Sequence, residues 1–449
     1  MKLTDGTNKA ILKNVLSYAL PSVIAMLVTS AYVVIEGIFL GRGVGANALA
    51  AVNIAFPAMV LINAVIIAIS VGGANLMSIR LGEGKPEDAN NIFMQCLVAI
   101  IAISVLFSLL GIIFLRQISV LLGANDVLLN NVMVYLRYAL IFSPVFALSN
   151  CLNTFIRNDG NPRLSMYSMV IGSIAIAIFI YMFVFLLKSG IAGAAIAGGL
   201  GDMFTIVIVS VHFIKKKGIL RFSKPVFKKA DIIKISGLGL PSMMTELAMS
   251  FSTICFNLVI IRRIGAIGVT AYSIITYITS FVILILMGIS QGLQPILSFN
   301  HGAKEVKTVQ KTYRIGILLA LAVSILTILM LLIWGTNIIM VFNDDSQKLI
   351  NLTRSAILCF CAGYIPAAIN IVNITYYQST ERPKLSSAVS ILRGFAFVLL
   401  GLFILPPLIG NIGIWLTSVF GESLTLIITL LLGKKLKSQI LSVEIIGQK

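Results

Sequence analysis

Charged residues are scarce in this 449-residue chain: Asp, Glu, Lys and Arg make up 11% of it, while 58% is hydrophobic. Soluble proteins carry about 25% charged residues, so this composition excludes an ordinary soluble domain. Histidine, with two residues, and cysteine, with five, are also rare. All the cysteines fall within apolar runs at no metal-binding spacing, so we interpret them as small buried residues and expect no metal site.

Catalytic and nucleotide-binding motifs are absent as well. The sequence has no GxxxxGK[ST] phosphate loop, no dinucleotide fingerprint and no nucleophile with a neighbouring base. We therefore expect no enzyme and no cofactor. Any energy for an energy-requiring process would have to come from another subunit or from an ion gradient. One charge that crosses a potential of 100 mV supplies about 2.3 kcal/mol.

Long apolar runs are abundant instead. About twelve of them are long enough to cross the ~30 Å hydrocarbon layer of a bilayer, which predicts an all-α polytopic membrane protein. The predicted spans lie near residues 14–40, 52–78, 92–115, 132–156, 164–187, 191–214, 236–261, 268–297, 314–341, 353–378, 386–408 and 413–433.

The net charge of +18 follows the topology of these spans. With a cytoplasmic N-terminus and alternating spans, Lys and Arg are about three times as frequent on the inner side as on the outer side. This bias predicts that both termini are cytoplasmic. We interpret the basic charge as a determinant of orientation, and we expect the lipid bilayer, not nucleic acid, as the partner.

The chain contains an internal duplication. The triplet LPS at 20–22 recurs at 240–242, Gly193 recurs as Gly413, and Gly201-Asp202 corresponds to Gly421-Glu422, all shifted by 220 residues. Six spans in each copy predict a parallel repeat: two pseudo-symmetric six-helix bundles at 1–214 and 235–449, joined by a basic cytoplasmic linker at 215–234. Two bundles that rock about a shared site favour a transporter.

Four carboxylates fall inside the predicted spans. Glu246 lies about 15 Å into its span, near the middle of the bilayer, where an ionisable group is a functional hypothesis by default. We assign Glu246 as the main acid for ion coupling or substrate cations, and Glu36 as the second. Asp202 and Glu422 are equivalent in the repeat, so we interpret them as structural acids. Arg393 is the possible ion-pair partner of one of the four, and the sequence leaves open which.

Further polar residues recur on single faces of predicted spans, which is typical of a wet cavity, although isolated polar residues also join membrane helices. The candidate cavity-lining residues are Tyr32, Asn53, Asn150, Asn153, Ser250, Thr253, Asn257, Ser273, Thr276, Tyr277, Met287, Gln291, Gln294, Asn370, Asn373 and Tyr377.

Seven motifs together resemble the multidrug and toxic compound extrusion (MATE) family over nearly the full length. They are ALPSVIAML, VVIEGIFLGRGVGANALAAVNIAFP, GGANLMSIRLGEGK, LNTFIRNDGNPRLSM, GLPSMMTELAMSF, GISQGLQPILSFNHGAK and IGIWLTSVFGESL. The resemblance implies a drug-resistance antiporter of the bacterial plasma membrane that exports bulky, amphiphilic organic cations against protons or sodium. It also implies two lobes that rock between faces, and we expect a monomer.

Two departures from the family pattern bear on the coupling ion. Where many members carry Asn and Asp in the fifth span, this chain has Ile176 and Ile180, and its tenth span offers Glu246 no acid, only Asn370 and Asn373. Sodium prefers several oxygen ligands, so we favour protons over sodium.

Three alternatives stay open at this point: a lipid-linked oligosaccharide flippase, an exporter of an endogenous metabolite, and a non-transporting membrane receptor. A flippase needs a strongly cationic cavity, and only Arg393 is clearly internal in the sequence.

Overall fold

The computed structural model describes residues 7–342 and 347–446, with side chains described up to residue 432. All regular secondary structure in these ranges is helical. Apolar segments in a bilayer must satisfy their backbone hydrogen bonds internally, and a helix does so within one segment. The predicted all-α class is therefore confirmed.

The first half of the chain contains seven helices and a π-helical turn. They are α1 (Asn8–Gly43), α2 (Ala46–Gly82), α3 (Pro86–Ile113), the short α4 (Leu115–Leu121), α5 (Asp126–Asn158), α6 (Pro162–Tyr181) with the π turn Met182–Leu186, and α7 (Gly190–Ile214).

The second half contains eight helices and a second π turn. They are α8 (Lys229–Arg263), α9 (Ala266–Gly302), α10 (Val306–Met340), α11 (Gln347–Cys361), α12 (Tyr364–Ser379), α13 (Pro383–Ile391) with the π turn Leu392–Ala396, α14 (Phe397–Ile409) and α15 (Ile412–Ile446).

The described residues provide eleven segments that are long and apolar enough to span a membrane. The pair α11 and α12, bent by 44°, makes a twelfth if it is counted as one span. The predicted number of about twelve spans is therefore confirmed. Helix boundaries follow local chemistry: Asn125 and Asn161 cap α5 and α6 through their side-chain oxygens, and prolines begin α3 and α6.

The chain separates into two compact units. One comprises Met1–Leu247, Met287–Gly316 and Thr375–Pro383, and the other comprises Ala248–Leu286, Ile317–Ile374 and Lys384–Lys449. The first unit thus combines the first half and the linker with three segments of the second half. The lobes predicted from the repeat are defined by sequence similarity and not by packing, and that division stays a prediction.

Within the first unit, segments of the two halves meet through glycine. Gly82 lies against the backbone of Phe299, and Gly302 lies against the backbone of Ile79. A Cβ atom at either glycine would collide with that backbone, so only glycine permits this approach. Positions 79 and 299, and positions 82 and 302, are related by the 220-residue shift.

A second pair of contacts repeats this pattern. Gly72 lies against the backbone of Gly239, and Gly292 lies against the backbone of Ala19. Positions 72 and 292, and positions 19 and 239, again differ by 220. We call these four glycine contacts the repeat contact. The repeat contact is self-complementary: equivalent surfaces of the two halves contact each other, as in a two-fold interface between identical subunits.

Candidate ion and substrate site

Glu246 lies on α8, five residues after Pro241, which is inside the same helix. This proline cannot donate a helical hydrogen bond, and Thr245 donates its hydroxyl to the Pro241 carbonyl at 2.9 Å. On α2 of the first half, Asn63 donates from Nδ2 to Glu246 Oε1 at 2.8 Å. A carboxylate from one repeat and an amide from the other therefore form a single polar site inside the first unit.

The position of this site follows from close helix packing nearby. Gly239 of α8 lies against the backbone of Ala68 on α2. Glu246 lies seven residues beyond Gly239, or about two helical turns, and Asn63 lies five residues before Ala68. The glycine brings α2 and α8 together, and the Glu246–Asn63 pair lies further along the same two helices.

The pair has unused capacity to accept hydrogen bonds. Asn63 Oδ1 is buried, and no described residue donates to it. Glu246 forms no ion pair with any residue in the described ranges, and both of these side chains are half-buried. Carboxylate and amide oxygens are ligands for hard cations, and a carboxylate can equally take a proton or an organic cation. The arrangement suits a group that exchanges one cation for another.

Glu36 lies in a second polar cluster, entirely within the first half. Its carboxyl group contacts the Tyr32 hydroxyl, which also lies within electrostatic reach of Tyr135 and Asp202. Asp202 of α7 in turn contacts Ser149 of α5. The first half thus holds two acids around one phenol.

The fifth span contributes no polar group to this cluster. Ile176 and Ile180 of α6 are buried, and Ile176 packs against Gly201, next to Asp202. The acid that the family places on the fifth span is absent here.

Arg393 pairs with Glu422, which answers the question that the sequence left open. The guanidinium donates from Nε and Nη2 to Glu422 Oε1 at 3.0 and 2.6 Å. Asn370 donates from Nδ2 to Glu422 Oε2 at 2.7 Å. Arg393 lies on the π turn, where the backbone departs from α-helical geometry, and Ser252 donates to the Gly394 carbonyl at 3.0 Å.

The glutamines of α9 bind other residues of the first unit. Gln294 and Ser298 donate to Asn75 Oδ1 at 3.1 and 2.7 Å, and Arg157 donates to Gln291 Oε1 at 2.7 Å. Gln294 was predicted to line a cavity but lies buried among these partners. Its amide joins the two halves because Asn75 and Ser298 face each other across the repeat contact.

The remaining candidate lining residues differ in exposure. Asn53, Ser273 and Tyr277 are exposed, whereas Tyr32, Asn150, Ser250, Thr253, Asn257, Thr276, Met287 and Gln291 are half-buried. Asn153, Asn370, Asn373 and Tyr377 are buried, and their role in a cavity stays a prediction. Asn153 donates to the Ser149 carbonyl and accepts from Ser168, which satisfies its amide locally.

Two functional candidates were missed at the level of sequence. Asn63 is a lone amide in the apolar run VLINAVIIAIS, and that isolation was the available signal. Arg157 lies just beyond the predicted span 132–156, in the last turn of α5, and its side chain is only 6% exposed. Its Nε atom has no acceptor among the described residues, so Arg393 is not the only internal cation.

These features define a multi-pass, all-helical membrane protein built from two repeats, with carboxylates inside its spans. The MatE family profile matches residues 21–183 and 241–404, which together exceed half of the chain. The chain belongs to the MatE family, whose members are transporters and not enzymes. The two matches begin at residues 21 and 241, and this spacing confirms the 220-residue register. The predicted MATE membership is confirmed.

Curated relatives match over nearly their full length. The chain is 22% identical to the multidrug export protein MepA of Staphylococcus aureus strain N315, covering 94% of this chain and 93% of that protein. It is 21% identical to MepA of Staphylococcus haemolyticus, covering 96% and 95%.

Solved structures share the fold. One is the outward-facing conformation of a multidrug resistance MATE family transporter, with a TM-score of 0.91, 21% identity and coverage of 96% of this chain and 97% of that chain. Another is a MOP superfamily transporter from Pyrococcus furiosus, with a TM-score of 0.88, 21% identity and coverage of 95% and 96%.

Proposed function

We propose that this protein is a secondary antiporter that exports amphiphilic organic cations from the cytoplasm of a bacterial cell in exchange for protons. The observation that carries the proposal is the Glu246–Asn63 pair, which combines an acid without an ion-pair partner and an amide oxygen without a donor. The names of the curated relatives, which are multidrug export proteins, support the same class of cargo.

Glu246 would couple the two movements by competition. The carboxylate holds an organic cation or a proton, and each one displaces the other because a single negative charge cannot neutralise both. A one-for-one exchange of a proton for a monovalent cation moves no net charge, so the pH difference drives it. One pH unit supplies about 1.4 kcal/mol, enough for roughly tenfold accumulation of the cargo. Glu36, with Tyr32, would serve as the second acid site.

The repeat contact suits alternating access by rocking. Glycine-to-backbone contacts pack without interlocking side chains, so two helices can separate there without unthreading. The polar groups that join the halves in the first unit, such as Asn75 with Gln294, can exchange their hydrogen bonds for water. We place both termini in the cytoplasm, from the charge bias, and we expect a monomer in the plasma membrane.

Protons are favoured over sodium because the site offers few oxygens. Sodium in proteins takes several hard ligands, whereas Asn63 and Glu246 supply only one amide oxygen and one carboxylate. A flippase of lipid-linked oligosaccharides, which needs a strongly cationic cavity, is disfavoured. Of the two internal cations among the described residues, Arg393 is neutralised by Glu422, and Arg157 alone remains without a carboxylate partner. An exporter of an endogenous cationic metabolite would use the same site.

The test is uptake of a fluorescent organic cation into inverted proteoliposomes, under an imposed pH gradient and, separately, a sodium gradient. We expect Glu246→Gln to lose at least about tenfold of gradient-driven transport, since removing the charge costs the site more than 1.4 kcal/mol of cation binding. Glu305→Gln, which removes an exposed acid between α9 and α10, is the matched control.

Unchanged transport by the Glu246→Gln variant would refute the assignment of the coupling acid. Transport that follows the sodium gradient alone would refute proton coupling but leave the antiporter proposal in place. A cation flux that ignores both gradients would refute antiport itself.

A further inference from the structure

A cleft of about 700 Å³ lies between the start of α3 and the linker. It belongs to the first unit and lies apart from the acids of the spans. Its basic lining residues are Arg221, Lys224 and Lys228, and its acidic ones are Glu87 and Asp88. The positive charge of the linker is consistent with its predicted role in orientation, but that role does not require a cleft, and the transport site does not include this one.

The backbone of the linker is held in place by side chains of α3. Asn90 accepts from the Arg221 backbone N–H at 2.6 Å and donates to Ser223 Oγ at 2.9 Å. Asn91 accepts from the Val226 N–H at 2.7 Å and donates to the Val226 carbonyl at 2.9 Å. Each asparagine thus holds one part of the linker in place. Because the linker backbone is already ordered, binding of a ligand there would cost little further conformational entropy of the linker.

A third anchor lies at the start of the linker. Asp159 accepts from the Ile219 backbone N–H at 2.9 Å and contacts the His212 ring at 2.9 Å. Ile219, Val226 and the residues between them are therefore held along the surface of the first half, where their side chains can be presented in fixed positions.

The cations that these anchors present are largely free. Lys228 pairs with Asp88 at 3.0 Å, which raises the pKa of Lys228. No carboxylate of the described residues lies within ion-pair distance of Arg221 or Lys224, and both are exposed. The exposed run of Lys215, Lys216 and Lys217 adds further positive charge beside the cleft.

Bulky apolar side chains are exposed among these cations. Ile219 is 49% exposed, Val226 62% and Phe227 54%, although all three lie outside the spans. Exposed apolar groups interleaved with Lys and Arg are typical of segments that lie at a membrane surface, where the apolar groups enter the interface and the cations meet anionic headgroups. The linker joins α7 to α8, which both span, so it lies at one membrane face.

We propose that the linker and the start of α3 form a docking site for anionic phospholipid, with Arg221 and Lys224 binding the headgroup phosphate and Phe227 entering the interface. Charge complementarity favours a lipid surface as the occupant. The unpaired cations would suit any anion, but the exposed apolar groups beside them suit only an anion that belongs to a lipid surface. The placement at the cytoplasmic face rests on the proposed orientation, but the binding itself does not depend on transport.

The test uses the full-length protein in a neutral detergent and measures lipid retention by native mass spectrometry, during titration with phosphatidylglycerol or phosphatidylcholine. We expect the protein to retain phosphatidylglycerol preferentially. Arg221→Gln/Lys224→Gln should weaken that retention by about thirtyfold, the value of two cationic contacts with an anionic surface. Phe227→Ser should weaken the retention of both lipids.

Lys304→Gln/Lys307→Gln is the matched control, because it removes two exposed lysines, one from the connection between α9 and α10 and one from the first turn of α10. Equal thermal unfolding of all variants in phosphatidylcholine confirms that they are folded. The proposal is overturned if the linker and control variants retain phosphatidylglycerol equally. It is also overturned if inorganic phosphate displaces the lipid at equal concentration, which would indicate a phosphate site. Loss of transport alone would bear on the proposed function and not on this site.

Discussion

Glu246 and Glu422 lie in spans of the same half and have different partners. Each accepts a hydrogen bond from an asparagine, at 2.8 Å from Asn63 and at 2.7 Å from Asn370. Only Glu422 also receives two N–H groups from a guanidinium. The charge of Glu422 is thus balanced by the protein, whereas no cation of the described residues pairs with Glu246.

The repeat explains why the two acids differ. Glu422 has an acidic counterpart, Asp202, at the equivalent position of the first half, and each contacts a polar side chain of its neighbouring helix. Glu246 corresponds to Met26. An acid present in both copies serves what the copies share, which is packing. An acid present in one copy serves a purpose that the symmetric architecture does not require.

The largest effect is expected from removing the partner of Glu422. Arg393→Met would leave a buried carboxylate without its cation, which costs about 3–5 kcal/mol. The double variant Arg393→Met/Glu422→Met should recover most of that loss, because an apolar pair of similar volume removes the buried charge as well. Thermal unfolding in detergent measures both. Equal destabilisation by the single and double variants would contradict the view that the ion pair is structural.

A second substitution would make Glu246 resemble Glu422. Asn63→Lys places a cation beside the Glu246 carboxylate, so we expect transport to fall as far as in Glu246→Gln, by at least about tenfold. Asn63→Asp is the contrasting variant, since it adds an oxygen ligand and no cation, and it should retain cation binding. The change in fluorescence when a fluorescent organic cation binds to each variant measures this retained binding. Full transport by Asn63→Lys would end the distinction between the two acids.

The smallest effect concerns Glu381, an ion-paired acid outside the spans. The His301 ring, 3.7 Å away, and Lys234, 3.1 Å away, lower the pKa of Glu381 from 4.5 to about 2. A lowered pKa stabilises the folded state above pH 4.5, and this contribution is lost as the pH falls towards 2. The difference in unfolding temperature between the protein and Glu381→Gln should therefore be small at pH 7 and vanish on acidification. A difference in unfolding temperature that grows on acidification would contradict this prediction.

The length of the apolar runs was sufficient to predict the spans, because about twenty apolar residues in a bilayer can form little other than a helix. The repeat register was equally readable, since Gly82 and Gly302 are fixed by a backbone contact that no other residue permits. Glu246 was identified because a carboxylate in an apolar run is conspicuous.

Partners across long sequence distances were not predictable. Asn63 and Glu246 are 183 residues apart, and no local pattern encodes which of several amides on different helices will face a given acid. The choice of Glu422 for Arg393 depends on how α14 and α15 pack beside the π turn. The buried state of Arg157 was hidden for the same reason, because its position at a helix end resembles that of an ordinary loop cation.

The repeat contact has a consequence for ancestry. A surface that meets its own copy through Gly82 and Gly302 would do so equally in two separate chains of six spans, and a single gene would then suffice for the whole assembly. In such a homodimer, any new acid appears twice. Once the copies are fused, one half can acquire Glu246 while the other keeps Met26, and a symmetric scaffold can carry an asymmetric charge.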